Sequence, residues 1–255
     1  MRTQIFIVSY SKDAPWLEYC LRSINKFATG FSGTTVLVPK QDVGSMKPIC
    51  DRHGASLETD NRAAPPLGFL DHMVQKCYAD QWCPEADYIL HTDSDCVFTE
   101  LVTPDDYLVA GNKPVLLIEE FARLPQSHWK MATDNAMKLD CKFETMRRHP
   151  AVHYRDVYAD LRAHISRVQG KPFRDYILSL KPDYPWGFSE FVALGQIALS
   201  EKWQTRYHFI DVARDDIPKH KLYQCWSNWG LDGRITDQGP HLGKTPREVF
   251  SGFGL

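Results

Sequence analysis

Ala86-Asp87-Tyr88-Ile89-Leu90-His91-Thr92-Asp93-Ser94-Asp95-Cys96-Val97-Phe98 is the stretch on which the reading of the fold turns. Its apolar first half reads as a buried strand, and it runs straight into two aspartates separated by one serine. A hard divalent cation wants oxygen ligands and bridges readily between carboxylates and a diphosphate. Two aspartates one residue apart, just past a buried strand, can both face the same cavity if the chain turns there. This is the only D-x-D in the chain, and Cys96-Val97-Phe98 returns at once to apolar sequence. The competing reading of the same letters is an Asx turn or a cap at a strand end.

Working outward, Gln4-Ile5-Phe6-Ile7-Val8-Ser9 reads as a buried strand and Thr34-Thr35-Val36-Leu37-Val38-Pro39 as a second, stopped by proline. Between them, Pro15 suits the first turn of a helix over residues 14–27, and Trp16, Tyr19, Cys20, Ile24 and Phe27 recur at helical spacing. Helices are expected over 47–53, ended by Gly54, and over 67–80. A further strand is expected over 114–118. This alternation predicts an α/β fold, a doubly wound and mostly parallel sheet flanked by helices, whose ligands sit beyond the carboxyl ends of the strands. Residues 120–174 read as more helical and more polar, and 171–186 as loop-rich. The glycine-rich tail from 232 to 255, without a clear period, reads as a loop or flap partly ordered by ligand.

The 255 residues, 43% hydrophobic and 24% charged, suffice for one large domain with its own core. We expect a single domain over 1–255, with residues 1–120 holding a nucleotide and 121–255 an acceptor. The formal net charge of −2 gives no global basic field of the kind that marks nucleic-acid binders. The seven cysteines are scattered and form no C-x-x-C pair, which points to a reducing compartment. The sequence has neither the pattern of a signal peptide nor a run of about 20 apolar residues able to span a bilayer. The expectation is a cytoplasmic protein.

Residues 87–98 resemble the strand and D-x-D segment of GT-A glycosyltransferases. Ile5-Phe6-Ile7-Val8-Ser9-Tyr10-Ser11-Lys12-Asp13 is similar to the first strand and nucleotide-binding loop of that fold, and Trp16 to Ile24 to the helix that follows. The likeness covers about the first 120 residues, and the Asp-Ser-Asp form is similar to phage-encoded and bacterial glycosyltransferase-like proteins, some of which modify DNA bases. The resemblance implies a GT-A-like fold and a hexosyl- or pentosyltransferase that uses Mn²⁺ or Mg²⁺ and a UDP- or GDP-sugar donor. Asp93 would contact the ribose, the metal or both, and Asp95 the metal and diphosphate. Ser94 lies between them in the donor site, and Ser9, Tyr10 and Asp13 sit where the family holds the nucleoside.

Other candidates extend this picture. Lys76 would neutralise phosphate, against the default of a solvated helix lysine, and Arg62 is a similar candidate. Gly187-Phe188-Ser189-Glu190 opens a helical pattern that runs to Leu199. Ser189 reads as the N-cap, with Glu190 in the first turn. The family places an acidic base near the start of a late helix, which would give Glu190 the proton of the acceptor hydroxyl. A third metal ligand often comes from a C-terminal histidine in this fold. His241, with Lys244 three residues on, is preferred over His220. Trp226-Ser227-Asn228-Trp229-Gly230 would offer a sugar or acceptor wall, against core packing as the default use of such rings.

The acceptor is expected to be a hydroxyl on a glycan, a lipid-linked sugar, a protein or a hydroxymethylated DNA base. For DNA, Arg147-Arg148-His149 and Lys219-His220-Lys221 would be the places for phosphate contacts, against the default of ordinary surface charges. Asp93-Ser94-Asp95-Cys96-Val97 also fits the D-x-D-x-[TV] nucleophile motif of haloacid-dehalogenase phosphatases, with Lys202 and Asp215-Asp216 as partners. That motif normally ends the first strand, not one more than ninety residues in. The same aspartate pair would also suit a nucleotidyltransferase, or a non-catalytic protein that binds a nucleotide sugar.

Overall fold

A computed structural model describes residues 1–60, 68–109, 111–147, 150–181, 183, 185–237 and 239–255. In chain order, β1 (Thr3–Val8), α1 (Ala14–Phe27), β2 (Thr34–Pro39), α2 (Val43–His53) and β3 (Ser56–Asp60) alternate strand with helix. Then α3 (Phe69–Lys76) and α4 (Ala79–Trp82) lead into β4 (Tyr88–His91), and β5 (Cys96–Phe98) starts just past the two aspartates. The second half contributes β6 (Leu108–Val109), β7 (Lys113–Glu120), α5 (Lys130–Met137), β8 (Phe143–Glu144) and β9 (Ala151–Tyr154). It continues with α6 (Asp156–Gln169), α7 (Phe173–Leu178), α8 (Glu190–Ala198), β10 (His208–Asp211), β11 (Leu222–Gln224) and α9 (Pro246–Gly252).

The central sheet has the order β3-β2-β1-β4-β9. Its first four strands are parallel and β9 runs antiparallel beside β4. Strands buried on both faces must be apolar on both, and alternation then decides which residue faces which layer. Ile5 and Ile7 of β1 pack with Leu17, Leu21 and Ile24 of α1 and Met46 of α2. Phe6 and Val8 point the other way, toward Val74 of α3, Leu161 of α6 and Leu194 of α8. Each fully buried side chain of this size contributes about 1.5–3 kcal/mol relative to exposure. A smaller sheet of order β10-β7-β6, with β8 also on β7, lies in the second half, and β11 pairs antiparallel with β5.

This topology fixes where a ligand site can form. β2 leaves β1 on one side and β4 joins it on the other, so a crevice opens between the carboxyl ends of β1 and β4.

Several expectations need correction. β3 is an addition: Ser56-Leu57-Glu58-Thr59-Asp60 is an edge strand, half exposed and too polar to read as one. α2 starts at Val43 and carries Pro48 internally, although Gly54 ends it in the left-handed conformation (φ 68°) as expected. The region that reads as helical between 120 and 174 also holds β8 and β9, and the loop-rich stretch holds α7. The tail is not a bare flap. Thr245 and Glu248 form a capping box for α9, which buries Val249 and Phe250 beside Trp16. All seven cysteines are free and buried. Among the described residues, no helix is long and apolar enough to cross a membrane.

Candidate functional site

The crevice is built by two strand ends. After β1 the chain stays extended at Tyr10, makes a short turn over Ser11–Asp13 and enters α1. After β4 the Asp93 carbonyl accepts the Cys96 amide at 3.1 Å, closing a tight turn around the two aspartates. The Ser94 hydroxyl donates to Asp13 Oδ2 at 3.2 Å, so the two strand ends are tied together. Asp95 is held from a third direction: its carbonyl accepts the Cys225 amide at 2.9 Å and its Oδ2 the Ser227 amide at 3.2 Å.

Two helices complete the site. Lys76 ends α3 and Glu190 begins α8. Lys76 Nζ lies 2.8 Å from Asp93 Oδ1 and 3.0 Å from Glu190 Oε1. It also sits 4.8 Å from the centre of the Phe191 ring. Lys76 is 8% exposed and Glu190 only 2%. Burial works against the lysine's charge, but the Asp93 and Glu190 carboxylates overcome it and hold the ammonium above its ordinary range. Ser189 caps α8 as expected, its hydroxyl accepting from the Val192 amide at 3.2 Å. Glu190 Oε2 is buried and has no hydrogen-bond partner among the described residues.

These groups line an open cleft of about 670 Å³. Its wall carries the carboxylates of Asp13, Asp42, Asp71, Asp93, Asp95 and Glu190 against, among the described residues, only two ammonium groups, Lys12 and Lys76. Burial raises the Asp13 carboxyl above the usual range. The Ser94 hydroxyl opposes that shift and the Asp93 charge reinforces it. Burial, then Asp13 and Asp95, likewise raise the Tyr10 phenol. His72 meets the Tyr10 ring edge-on at 5.2 Å between centres, and burial, then Lys76, push its imidazole down to about 4. It is therefore neutral at pH 7 and adds no positive charge to the cleft.

So acidic a cleft suits a cation. Asp93 and Asp95 carry hard oxygen donors of the kind that Mg²⁺ or Mn²⁺ takes. Among the described residues no three His, Cys, Asp or Glu side chains gather as a protein-only metal site.

The other expected residues divide. Tyr10, Asp13, Lys76, Asp93, Ser94, Asp95 and Glu190 all line the cleft. Ser9 does not. Successive strand residues face opposite ways, and its hydroxyl is buried away from Val8 and Tyr10. His241 and Lys244 do not line it either. The His241 ring is wedged edge-on against Tyr223 (4.8 Å) and Phe253 (6.0 Å), where it packs the tail onto the body. Lys76 pairs with carboxylates rather than standing open to phosphate. Trp226 is 44% exposed and bonds Asp237, while Trp229 packs near Trp16, so neither forms a cleft wall.

The dehalogenase-type partners are elsewhere too: Lys202 pairs with Asp160, and Asp215 accepts the Asp211 amide. Arg62, Arg148 and His149 lie outside the described residues. His72 lines the cleft in addition to the expected residues, and of the expected stretch 226–230 Ser227 lines it. His72 stands four residues before Lys76, hence on the same helix face, and that spacing is the signal by which a sequence could reveal it. Ser227 is brought in only by the pairing of β11 with β5. No protein-family model matches the chain, and a search of curated proteins finds no similar one.

Proposed function

We propose that this chain is a metal-dependent glycosyltransferase of the GT-A type, moving a sugar from a nucleotide-diphosphate donor to a hydroxyl acceptor. The observation that carries the reading is the convergence of Asp93, Asp95 and Asp13 with Glu190 in one acidic cleft at the β1/β4 strand ends. A nucleotide diphosphate is an anion, and a cleft that among the described residues is walled by six carboxylates and two lysines repels it unless a divalent cation accompanies it. Asp93 and Asp95 would hold that cation, which when bound supplies charge stabilisation for the departing diphosphate. Tyr10 and His72 offer rings for the nucleoside end.

In this reading the acceptor oxygen bonds to the anomeric carbon while the carbon–oxygen bond to the diphosphate breaks. The electron pair of that bond leaves on the diphosphate. Glu190 takes the hydroxyl proton through its unpartnered Oε2, and its burial keeps water away from the reacting atoms. The DNA-base acceptor gains no support, since Lys219, Lys221 and Arg147 are each already in ion pairs. The test is a panel of UDP- and GDP-sugars with Mn²⁺, read as released nucleotide. Slow hydrolysis of one donor supports the reading. Cleavage of generic phosphate esters would replace it by a phosphatase, nucleotidyl transfer by a nucleotidyltransferase, and binding without turnover by a nucleotide-sugar-binding protein.

A further inference from the structure

Lys76 is too enclosed to act as a general phosphate counter-ion. It projects from the last residue of α3 between two carboxylates of different origin, one from the β4 turn and one from the first turn of α8. A cation at a helix C-terminus and an anion at a helix N-terminus are each favoured by the helix dipole, so the α3–α8 junction is polarised for this pair. The Phe191 ring below the ammonium adds a third restraint. The outcome is asymmetric at Glu190: Oε1 is engaged by the lysine at 3.0 Å, whereas Oε2 is buried, unpartnered and part of a side chain that lines the cleft. A buried carboxylate oxygen left without a partner is costly, and it fits a site whose missing donor arrives with the ligand.

Resting on the glycosyltransferase reading, we propose that Lys76 is a positioning residue: its ammonium ties Asp93 to Glu190 and turns Glu190 so that Oε2 is the atom presented to the acceptor hydroxyl. Lys76 thus acts through Glu190 and not on the phosphates. Without the ammonium, two carboxylates that had shared one nitrogen would repel each other, and Glu190 would lose the contact that fixes its rotation. The lysine need not touch substrate to control the reaction.

The experiment is a double-mutant cycle on the full chain with Lys76→Met, Glu190→Gln and the double variant. Four quantities are measured: kcat and donor KM with Mn²⁺, the Kd of UDP and GDP in Mn²⁺, and the melting temperature. Lys76→Met is expected to lower kcat by about 100-fold or more while nucleotide Kd stays within about threefold, as for a group that acts only in the chemical step. The double variant should turn over no more slowly than Glu190→Gln alone, and it should regain most of the melting temperature lost in Lys76→Met. A purely structural lysine would not produce that non-additivity in kcat.

A tenfold or greater rise in nucleotide Kd at near-normal kcat would overturn the proposal in favour of phosphate contact. Multiplying losses of kcat in the double variant would overturn it as well. Absence of any nucleotide-sugar turnover in the wild-type protein is a different failure. It would remove the glycosyltransferase reading itself, whereas normal wild-type turnover with an additive cycle removes only the role given to Lys76.

Discussion

Replacing Asp95 by asparagine separates chemistry from architecture at the centre of the site. Oδ2 of the side chain accepts the Ser227 amide at 3.2 Å. An amide oxygen can accept the same bond, and the main-chain bond from Cys225 to the Asp95 carbonyl does not involve the side chain. The weak contact of the Cys96 thiol with Oδ1 at 3.9 Å can be met by the amide nitrogen, so the fold should lose about 1 kcal/mol, of the order of one weakened hydrogen bond. For a chain of this length that is a fall of about 2–4 °C in Tm. On the proposed reading the carboxylate charge that would hold the cation is lost completely, and with it the cation's stabilisation of charge developing on the leaving diphosphate. Removing one such group typically costs 10²–10³-fold in kcat, roughly 3–4 kcal/mol. The assay pairs thermal melting with nucleotide release from the best donor in Mn²⁺. Turnover within tenfold of wild type at unchanged Tm would refute the functional assignment of Asp95. A Tm loss above about 10 °C would show that the aspartate serves the turn instead.

Three further outcomes follow from particular contacts. Gly195 of α8 is so close to Thr145 that an added Cβ would lie 2.0 Å from its Oγ1. Gly195→Ala should cost about 1–3 kcal/mol in denaturant unfolding and reduce turnover by displacing the helix that starts at Glu190. His153 is fully enclosed beside Tyr207, and burial pushes its imidazole down to about 3, below the unfolded value of about 6.5. The unfolded chain therefore takes up the proton first. Stability from this group is complete above about pH 6.5 and falls by about 1.4 kcal/mol per unit on going down toward pH 3, so the stability of wild type relative to His153→Gln should shrink between pH 7.5 and pH 5. His241→Ala should leave turnover within about threefold and lower Tm by a few degrees, because the ring packs against Tyr223 and Phe253 and does not line the cleft. A large rise in the Mn²⁺ requirement would restore it to the site.

What can be read from the sequence follows from burial. β1, β2 and β4 are enclosed on both faces, so each is a near-continuous apolar run, and α1 carries its apolar stripe at helical spacing. The aspartates stand out because they interrupt such a run. β3 is hidden because an edge strand needs only one apolar side, and α9 because seven residues are too few to display a period. Lys76 is legible as a candidate, but its partners are not. Asp93 and Glu190 are far apart in sequence, and only the packing of α3 and α8 around the β4 turn brings both to one nitrogen. His241 misleads because its flanking glycines suggest freedom, whereas aromatic neighbours hold the ring.

Calorimetric titration of UDP and GDP into the protein, once in Mn²⁺ and once in EDTA, tests the central claim most directly. A cleft whose described wall carries six carboxylates and two lysines should give saturable one-site binding of one nucleotide diphosphate in Mn²⁺, and at least a hundredfold weaker binding in EDTA. No binding of either nucleotide in Mn²⁺, or equal affinity in EDTA, would contradict the account.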